Sequence, residues 1–202
     1  MTTEALKLIH DAIRDGGRLS SDYDLNPDVN LPAGRKLRPA AVLVPIYFRD
    51  GQARLILTKR SSALKHHPGQ ISFPGGKQDS EDKDLIATGL REASEEIGLN
   101  PVSVDVLGCL KPHETVTSFN VTPVIGVIRD DFTPIAEPGE VDEVFSVPLV
   151  HVLDPEHFTV EGRYWQGTLR RYYAVPYGPY YIWGATARML RTLANYATQD
   201  ED

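Results

Sequence analysis

Arg91-Glu92-Ala93-Ser94-Glu95-Glu96-Ile97-Gly98-Leu99 sets three glutamates at i, i+3 and i+4, so a helix through this stretch projects all three from one face. Like charges at this spacing repel by about 0.2–0.5 kcal/mol per pair, a cost that solvent or a bound cation must offset. A run of Glu alone is an ordinary solvated face; its neighbours turn it into a candidate cation site. Upstream, Phe73-Pro74-Gly75-Gly76-Lys77 is a turn signal closing a short apolar strand, Gln70 to Phe73, and the polar stretch Asp79 to Asp84 opens the helix. Ser80 or Asp79 is placed to cap the N-terminus, with Glu81, Asp82 and Asp84 in the first turn where the dipole favours negative charge. Gly98 is placed to end the helix. Ile86, Leu90, Ala93 and Ile97 recur at steps of four, three and four as a core-facing stripe. Glu92, Glu95 and Glu96 lie mostly off that stripe, with Glu92 and Glu96 stacked on one edge.

These residues resemble the Nudix hydrolase family, whose signature is Gly, five residues, Glu, seven residues, then Arg-Glu-apolar-x-Glu-Glu-x-Gly-apolar. The second half matches at every position from Arg91 to Leu99. The first half departs: counted from Gly76, the expected Glu falls at Asp82, and eight residues separate it from Arg91. The role of Asp82 is left open. That one-residue expansion resembles the coenzyme A pyrophosphatase branch, as does Leu57-Thr58-Lys59-Arg60-Ser61, three residues, Lys65 where Arg is usual, three residues, Gly69, three residues and Phe73-Pro74-Gly75-Gly76. The resemblance implies an α+β fold, a Nudix-type α/β/α sandwich with a mixed central β-sheet. Length and the lack of a composition shift favour a single domain, taken over residues 36–202 and preceded at 1–35 by a helix and an extended arm.

Composition fits an ordinary globular chain: 202 residues, 41% hydrophobic and 24% charged. The longest apolar run, Ala40 to Phe48, is interrupted by Pro45 and falls short of the roughly 20 residues that span a bilayer. No membrane association is expected. Met1-Thr2-Thr3-Glu4-Ala5-Leu6 carries no basic-then-apolar leader, and Cys109 as the single cysteine excludes an internal disulfide, so a cytoplasmic protein is expected. A net charge of −7 argues against a nucleic-acid partner. The distribution is more telling. Arg54, Lys59, Arg60, Lys65 and Lys77 occur with no Asp or Glu between them, and Asp79, Glu81, Asp82 and Asp84 follow at once. A basic strand and loop against an acidic helix suits a phosphorylated ligand held by cations on both sides.

Along the chain, Thr3 to Ile13 reads as an amphipathic helix with Ala5, Leu6, Leu8, Ile9 and Ile13 apolar, and Asp15 to Arg38 as a linker or arm. Strands are expected at Val42–Phe48, Leu55–Thr58, Val104–Leu110, Val121–Val127, Val144–Val147 and within Arg163–Val175, and a final helix at about Ala185 to Tyr196 with Ala187, Leu190, Leu193, Ala194 and Ala197 as its stripe. Asp130 to Glu140 reads as an acidic loop. His66-His67 reads as exposed loop, Cys109 as a small core residue, and the cluster Tyr172, Tyr173, Tyr177, Tyr180, Tyr181 and Trp183 as packing rather than a base-stacking platform.

The expected chemistry is metal-dependent cleavage of a pyrophosphate linkage. Hard carboxylate oxygens select Mg²⁺ or Mn²⁺. Glu92, Glu95 and Glu96 are the expected ligands, joined, as the resemblance implies, by the backbone carbonyl of Gly76. Arg91 is assigned to orienting a glutamate, and Gly75 and Gly76 to close backbone approach. Glu140 or Glu143, between which the sequence does not choose, is a candidate for removing the water proton. Lys59, Arg60, Lys65 and Lys77 are candidate substrate contacts. The branch implies coenzyme A or acyl-coenzyme A as the small-molecule nucleotide substrate, with 3′,5′-ADP and 4′-phosphopantetheine as products, and a homodimer is admitted as an assembly. The alternatives are another nucleoside diphosphate derivative (ADP-ribose, NADH or a dinucleoside polyphosphate) and a Nudix-like domain that senses a nucleotide without cleaving it.

Overall fold

The computed structural model describes residues 2–15, 18–29, 31, 32, 34–165 and 167–197. The Ala5 and Ala197 side chains of the expected helical stripes lie outside the described ones, as do parts of the expected arm.

The chain orders as α1 Thr2–Arg14, β1 Ser20–Ser21, β2 Arg38–Arg49, β3 Gln52–Arg60, β4 Ile71–Ser72, β5 Gly75–Lys77, α2 Leu85–Ile97, β6 Val104–Cys109, β7 His113–Glu114, β8 Phe119–Ile128, β9 Val141–Pro148, α3 Leu149–Leu153, β10 Thr159–Trp165, β11 Thr168–Ala174 and α4 Ala185–Ala197. Among the described residues nine strands form one sheet, in the order β1-β7-β8-β2-β3-β4, with β5 added to β2, β6 to β8 and β9 to β3. Pairing of β2 with β8 is parallel and with β3 antiparallel, so the sheet is mixed.

The apolar run Ala40 to Phe48 becomes the central strand because it is buried on both faces, which near-continuous hydrophobic sequence permits. Alternate residues serve opposite layers. Ala41 and Leu43 join Ala93 and Ile97 of α2, while Val44 and Ile46 join Ile9 of α1, Val152 of α3 and Leu190 of α4. Helices thus cover both faces, giving the α+β sandwich. Pro45, unusual in a central strand, sits where β2 passes from one neighbour to the next: Ala40–Val42 pair with β5, Leu43 N–H donates to Pro74 O, and pairing to β3 starts at Ile46.

Two expectations about α2 change. The helix begins at Leu85, capped by the Asp84 carboxylate accepting from Ala87 N–H at 2.8 Å, so neither Ser80 nor Asp79 caps it, and Glu81 and Asp82 precede the first turn. The short polar side chain nearest the apolar stripe wins the cap, and residues 79–83 form a separate turn in which Asp79 N–H donates to Asp82 Oδ2 at 2.9 Å. Gly98 ends the helix in the left-handed region, φ 69°. The second change is at Glu96, which sits within the buried face rather than off it. Elsewhere the expected strands are present, β2, β3, β8 and β9 longer than expected and β4 and β6 shorter, and the segment Arg163–Val175 resolves into most of a two-stranded hairpin, β10–β11. Helix α3 was not expected; five residues are too few to show a helical period. Among the described residues, no helix is long and apolar enough to cross a membrane.

Candidate active site

The site forms where β5 runs along β2 and the side of α2 faces it. Gly75 and Gly76 are there for space. A Cβ on Gly75, at φ 158°, would lie 2.5 Å from Ala41 O and 2.6 Å from Val42 Cα; one on Gly76 would lie 2.5 Å from Glu92 Oε1. The Glu92 carboxylate therefore rests directly on the Gly76 backbone.

Glu96 stands one turn further along α2. It is 3% exposed, and its Oε2 is buried with no hydrogen-bond partner among the described residues. Burial pushes its carboxyl up to about 8, the charges of Glu92 and Glu140 push the same way, and Arg60 and the Gly75 N–H oppose them. Glu92 is also raised, chiefly by burial, with Arg91 opposing and the charges of Glu95 and Glu140 adding. Acidic groups held against their own repulsion and partly out of water are an arrangement that a cation would relieve.

Glu95 is placed differently. Its side chain is 57% exposed and accepts from Arg91 Nη1 at 2.9 Å. Among the described residues, no three His, Cys, Asp or Glu side chains are gathered as a ready set of ligands for one ion. The orphaned Glu96 oxygen, the Glu92 carboxylate laid on a glycine and the all-oxygen donor chemistry nonetheless fit a hard divalent cation.

Arg91 is the hub of the site. Its Nε and Nη2 form a fork on Asp82 at 3.0 and 2.9 Å, Nη1 donates to Glu92 Oε1 at 3.0 Å as well as to Glu95, and Nη2 also reaches Lys77 O at 3.2 Å. The Asp82 side chain is 6% exposed and takes a further bond from Thr88 Oγ1 at 2.9 Å. The hydrogen bond from Arg91 holds the Asp82 carboxyl well below the usual carboxylate range, and Asp82 in turn holds the Arg91 guanidinium charged beyond its ordinary limit. Asp82, whose role the spacing left open, is thus the anchor of Arg91, through which it reaches Glu92 and Glu95. Its signal in the sequence was only an acid at the right distance from the turn.

Removing the guanidinium leaves the Asp82 carboxylate without its counter-charge, held only by Thr88 Oγ1 and the Asp79 N–H. We expect Arg91→Ala to cost about 2–3 kcal/mol in denaturant unfolding at pH 7, since breaking one partner of a buried pair is the expensive case and this pair is only partly covered. Asp82 is depressed in the folded state, so its contribution is complete above the usual carboxylate range and is lost as pH falls below it. The gap between wild type and Arg91→Ala should therefore narrow as pH falls through and below that range.

The remaining candidates divide. Ser61 N–H donates to Glu140 O at 2.8 Å, seating residue 140 beside the end of β3, and the Glu140 charge acts on both Glu92 and Glu96. The carboxylate of Glu143 is taken by Tyr180 Oη at 2.6 Å, with the Tyr180 ring stacked on Phe145 at 3.6 Å. That packing role for Tyr180 matches the expectation for the aromatic cluster. Arg60 faces Glu96 electrostatically, and Lys59 lies opposite Glu143 across the β3–β9 ladder. Lys77 is exposed and contributes its carbonyl to Arg91; Lys65 and both His66 and His67 are exposed in the loop after β3. Cys109 is half-buried in β6, and burial pushes its thiol up, away from reactivity.

Residues 36–166 match the model of the NUDIX domain, about two thirds of the chain. The chain belongs to the Nudix family. It is 43% identical over 172 residues to a protein of Citrobacter koseri described as an uncharacterized Nudix hydrolase, NudL, covering 84% of this chain and 88% of that one. A NudL of Salmonella paratyphi B is 43% identical over 157 residues, covering 78% and 81% respectively. Among solved structures, the MutT protein of Methanosarcina mazei superposes with a TM-score of 0.53 at 17% identity over 85% of this chain and the whole of that one, a likeness of fold. The stretch Arg91–Leu99 that resembles the family signature lies on and just after α2, and Gly75 and Gly76 lie on β5.

Proposed function

We propose that this Nudix hydrolase, a member of the pyrophosphohydrolase class, cleaves the pyrophosphate bond of coenzyme A or an acyl derivative, releasing 3′,5′-ADP and the corresponding 4′-phosphopantetheine. The observation that carries the hydrolytic part is Glu96: a carboxylate buried with a free oxygen, beside Glu92 on a glycine cradle, is costly in an empty site and suited to holding a divalent ion against a phosphate. Support for coenzyme A comes from the two interlocked motifs of residues 57 to 99, which resemble that branch.

Glu92, Glu96 and Glu95, with the Gly76 carbonyl, would hold Mg²⁺ or Mn²⁺. Such an ion, when bound, offsets charge on the phosphates and acidifies water. The chain's own residues do the rest. Arg91, anchored by Asp82, sets the orientation of Glu92 and Glu95 through charge-assisted bonds. Arg60 brings positive charge to the rim, with Lys59, Lys65 and Lys77 as further phosphate contacts. Gly75 and Gly76 keep the approach to the backbone open.

For the proton of the attacking water, Glu140 is the better placed of the two loop acids, because its charge is felt at Glu92 and Glu96 while Glu143 is committed to Tyr180. Glu140→Gln should lower kcat by about a hundredfold, within the range general bases contribute, and Glu143→Gln by less than about tenfold. Equal losses in steady-state assays would remove the distinction.

Incubating the chain with coenzyme A, ADP-ribose, NADH and diadenosine tetraphosphate in Mg²⁺ or Mn²⁺, and quantifying products by chromatography, tests the substrate. Coenzyme A should show the highest kcat/KM. If it is turned over no better than the others, the coenzyme A reading falls, and if nothing is cleaved while a nucleotide binds tightly, the domain is a sensor.

A further inference from the structure

The β3–β9 ladder slips by one residue where it reaches the candidate site. Lys59 is opposite Glu143 and Arg60 opposite Val141, so Asp142 has no partner on β3 and forms a bulge. Its own side chain closes the gap: Asp142 Oδ2 accepts the Ser62 N–H at 2.9 Å. The neighbouring amide is used as well, since Ser61, which is buried, donates its N–H to Glu140 O at 2.8 Å. Two consecutive N–H groups past the end of β3 are thus taken by residues 140 and 142, on either side of Val141. The Ser62 N–H holds the Asp142 carboxyl below the usual carboxylate range, with the Ser62 and Ser61 hydroxyls and the Lys59 charge acting in the same direction.

On its other side the turn that carries Glu140 is fixed to α2. Glu137 N–H donates to Glu96 O at 3.0 Å and Ile135 N–H to Ile97 O at 3.0 Å, so the loop takes up carbonyls that the end of the helix leaves open. Glu137 O in turn accepts from Glu140 N–H at 3.0 Å and from Val141 N–H at 2.9 Å. Glu140 is therefore held between the backbone of Glu96 and the end of β3. It is itself exposed, so its placement depends on what fixes the backbone on either side.

We propose that Asp142 is a positioning residue for the hydrolytic reaction: by accepting the Ser62 N–H it closes the bulge and so sets the place of the Glu140 carboxylate against Glu92 and Glu96. Bulges serve beside active sites to re-aim a side chain, and this one needs an acceptor at a fixed distance rather than a charge. The inference rests on the reading of Glu140 as the group that takes the water proton. Asp142 acts through Glu140 and needs no contact with the reacting atoms.

Steady-state kinetics of the full chain on coenzyme A with Mg²⁺, and amide hydrogen exchange on the ion-free chain, test it together. Asp142→Ala should lower kcat about tenfold and leave KM within about twofold, because a misplaced base slows the chemical step without loosening the substrate. Asp142→Asn keeps an oxygen at the same reach and should hold kcat within about threefold of wild type, whereas Asp142→Glu keeps the charge, moves the oxygen by a methylene and should lose at least about fivefold. On the Glu140→Gln background, Asp142→Ala should slow the enzyme by no more than about twofold further, since the group it positions is already gone. The Ser61 and Val141 amides should exchange at least about tenfold faster in Asp142→Ala and no faster in Asp142→Asn. Wild-type kcat in Asp142→Ala overturns the proposal, as do equal losses in the alanine and asparagine variants or a further loss of about tenfold on the Glu140→Gln background. Should Asp142→Ala fail to fold, Asp142→Glu decides: unchanged kcat and exchange there overturn it. If coenzyme A is not cleaved, the same ratios are read on whichever of the tested nucleotides is. Unchanged exchange in Asp142→Ala, where Glu140→Gln is slow, removes Asp142 alone. Faster exchange where Glu140→Gln has wild-type kcat removes Glu140 as the base and leaves Asp142 as the residue that sets the turn.

Discussion

Glu96→Gln should lower turnover by about three orders of magnitude or more while making the ion-free protein more stable above pH 7. The two effects have one cause. Folding buries this carboxyl at 3% exposure without a partner for Oε2 and pushes it from 4.5 up to about 8. Between those values the folded chain holds a proton that the unfolded chain has released, so stability falls as pH rises through that window. Glutamine keeps the shape and removes the ionisation. In EDTA at pH 8.5 the variant should therefore melt higher by at least about 5 °C, the equivalent of about 2 kcal/mol for a chain of this length. At pH 5 the difference should shrink. Adding Mg²⁺ or Mn²⁺ should raise the melting temperature of wild type and leave the variant nearly unmoved. Parallel melting curves at the two pH values would show that the carboxylate is solvated, and wild-type kcat in the variant would take Glu96 out of the chemistry.

The two glycines of β5 should separate function from folding. At Gly76 an added Cβ meets the tip of a flexible side chain, the Glu92 carboxylate at 2.5 Å, which can swing aside. Gly76→Ala should keep its fold, with unfolding free energy within about 1 kcal/mol of wild type, yet lose about a hundredfold or more in kcat because the displaced Glu92 carboxylate would no longer be positioned to hold an ion against the phosphate. At Gly75 the added atom meets backbone, Ala41 O and Val42 Cα, and the φ of 158° is one that side chains rarely adopt. Nothing there can step aside without moving the central strand. Gly75→Ala should cost about 2 kcal/mol or more in chemical denaturation. If both variants lose stability alike, Glu92 is held more rigidly than its carboxylate position implies.

The signature from Arg91 to Leu99, the glycine turn and the strands flanking them were legible in sequence because each depends on local rules: helical spacing, a left-handed stop at Gly98, and backbone freedom at Gly75 and Gly76. The mixed sheet between helices followed from the family resemblance and from a run of strands separated by only two substantial helices. Where local rules competed, the reading slipped. Asp79, Ser80 and Asp84 all suit an N-cap, and only the tertiary structure shows that Asp84 takes it, with Asp79 and Asp82 bonded to each other in the preceding turn and Asp82 held by Arg91. The short helix α3 has no period to read.

What the sequence alone determined was which carboxylates sit on one helix, because spacing along a helix is a property of the chain itself. Which of them is buried, which is paired and which loop acid faces them was decided only by tertiary structure. Glu92, Glu95 and Glu96 are equivalent in spacing, yet one lies on a glycine, one is held by an arginine in solvent and one is closed into the core face. Those differences arise from surfaces brought together across the fold, the β5 backbone, the anchored Arg91 and the end of β3 beside Glu140, and burial and charge at a side chain are set by what is near it in space rather than along the chain.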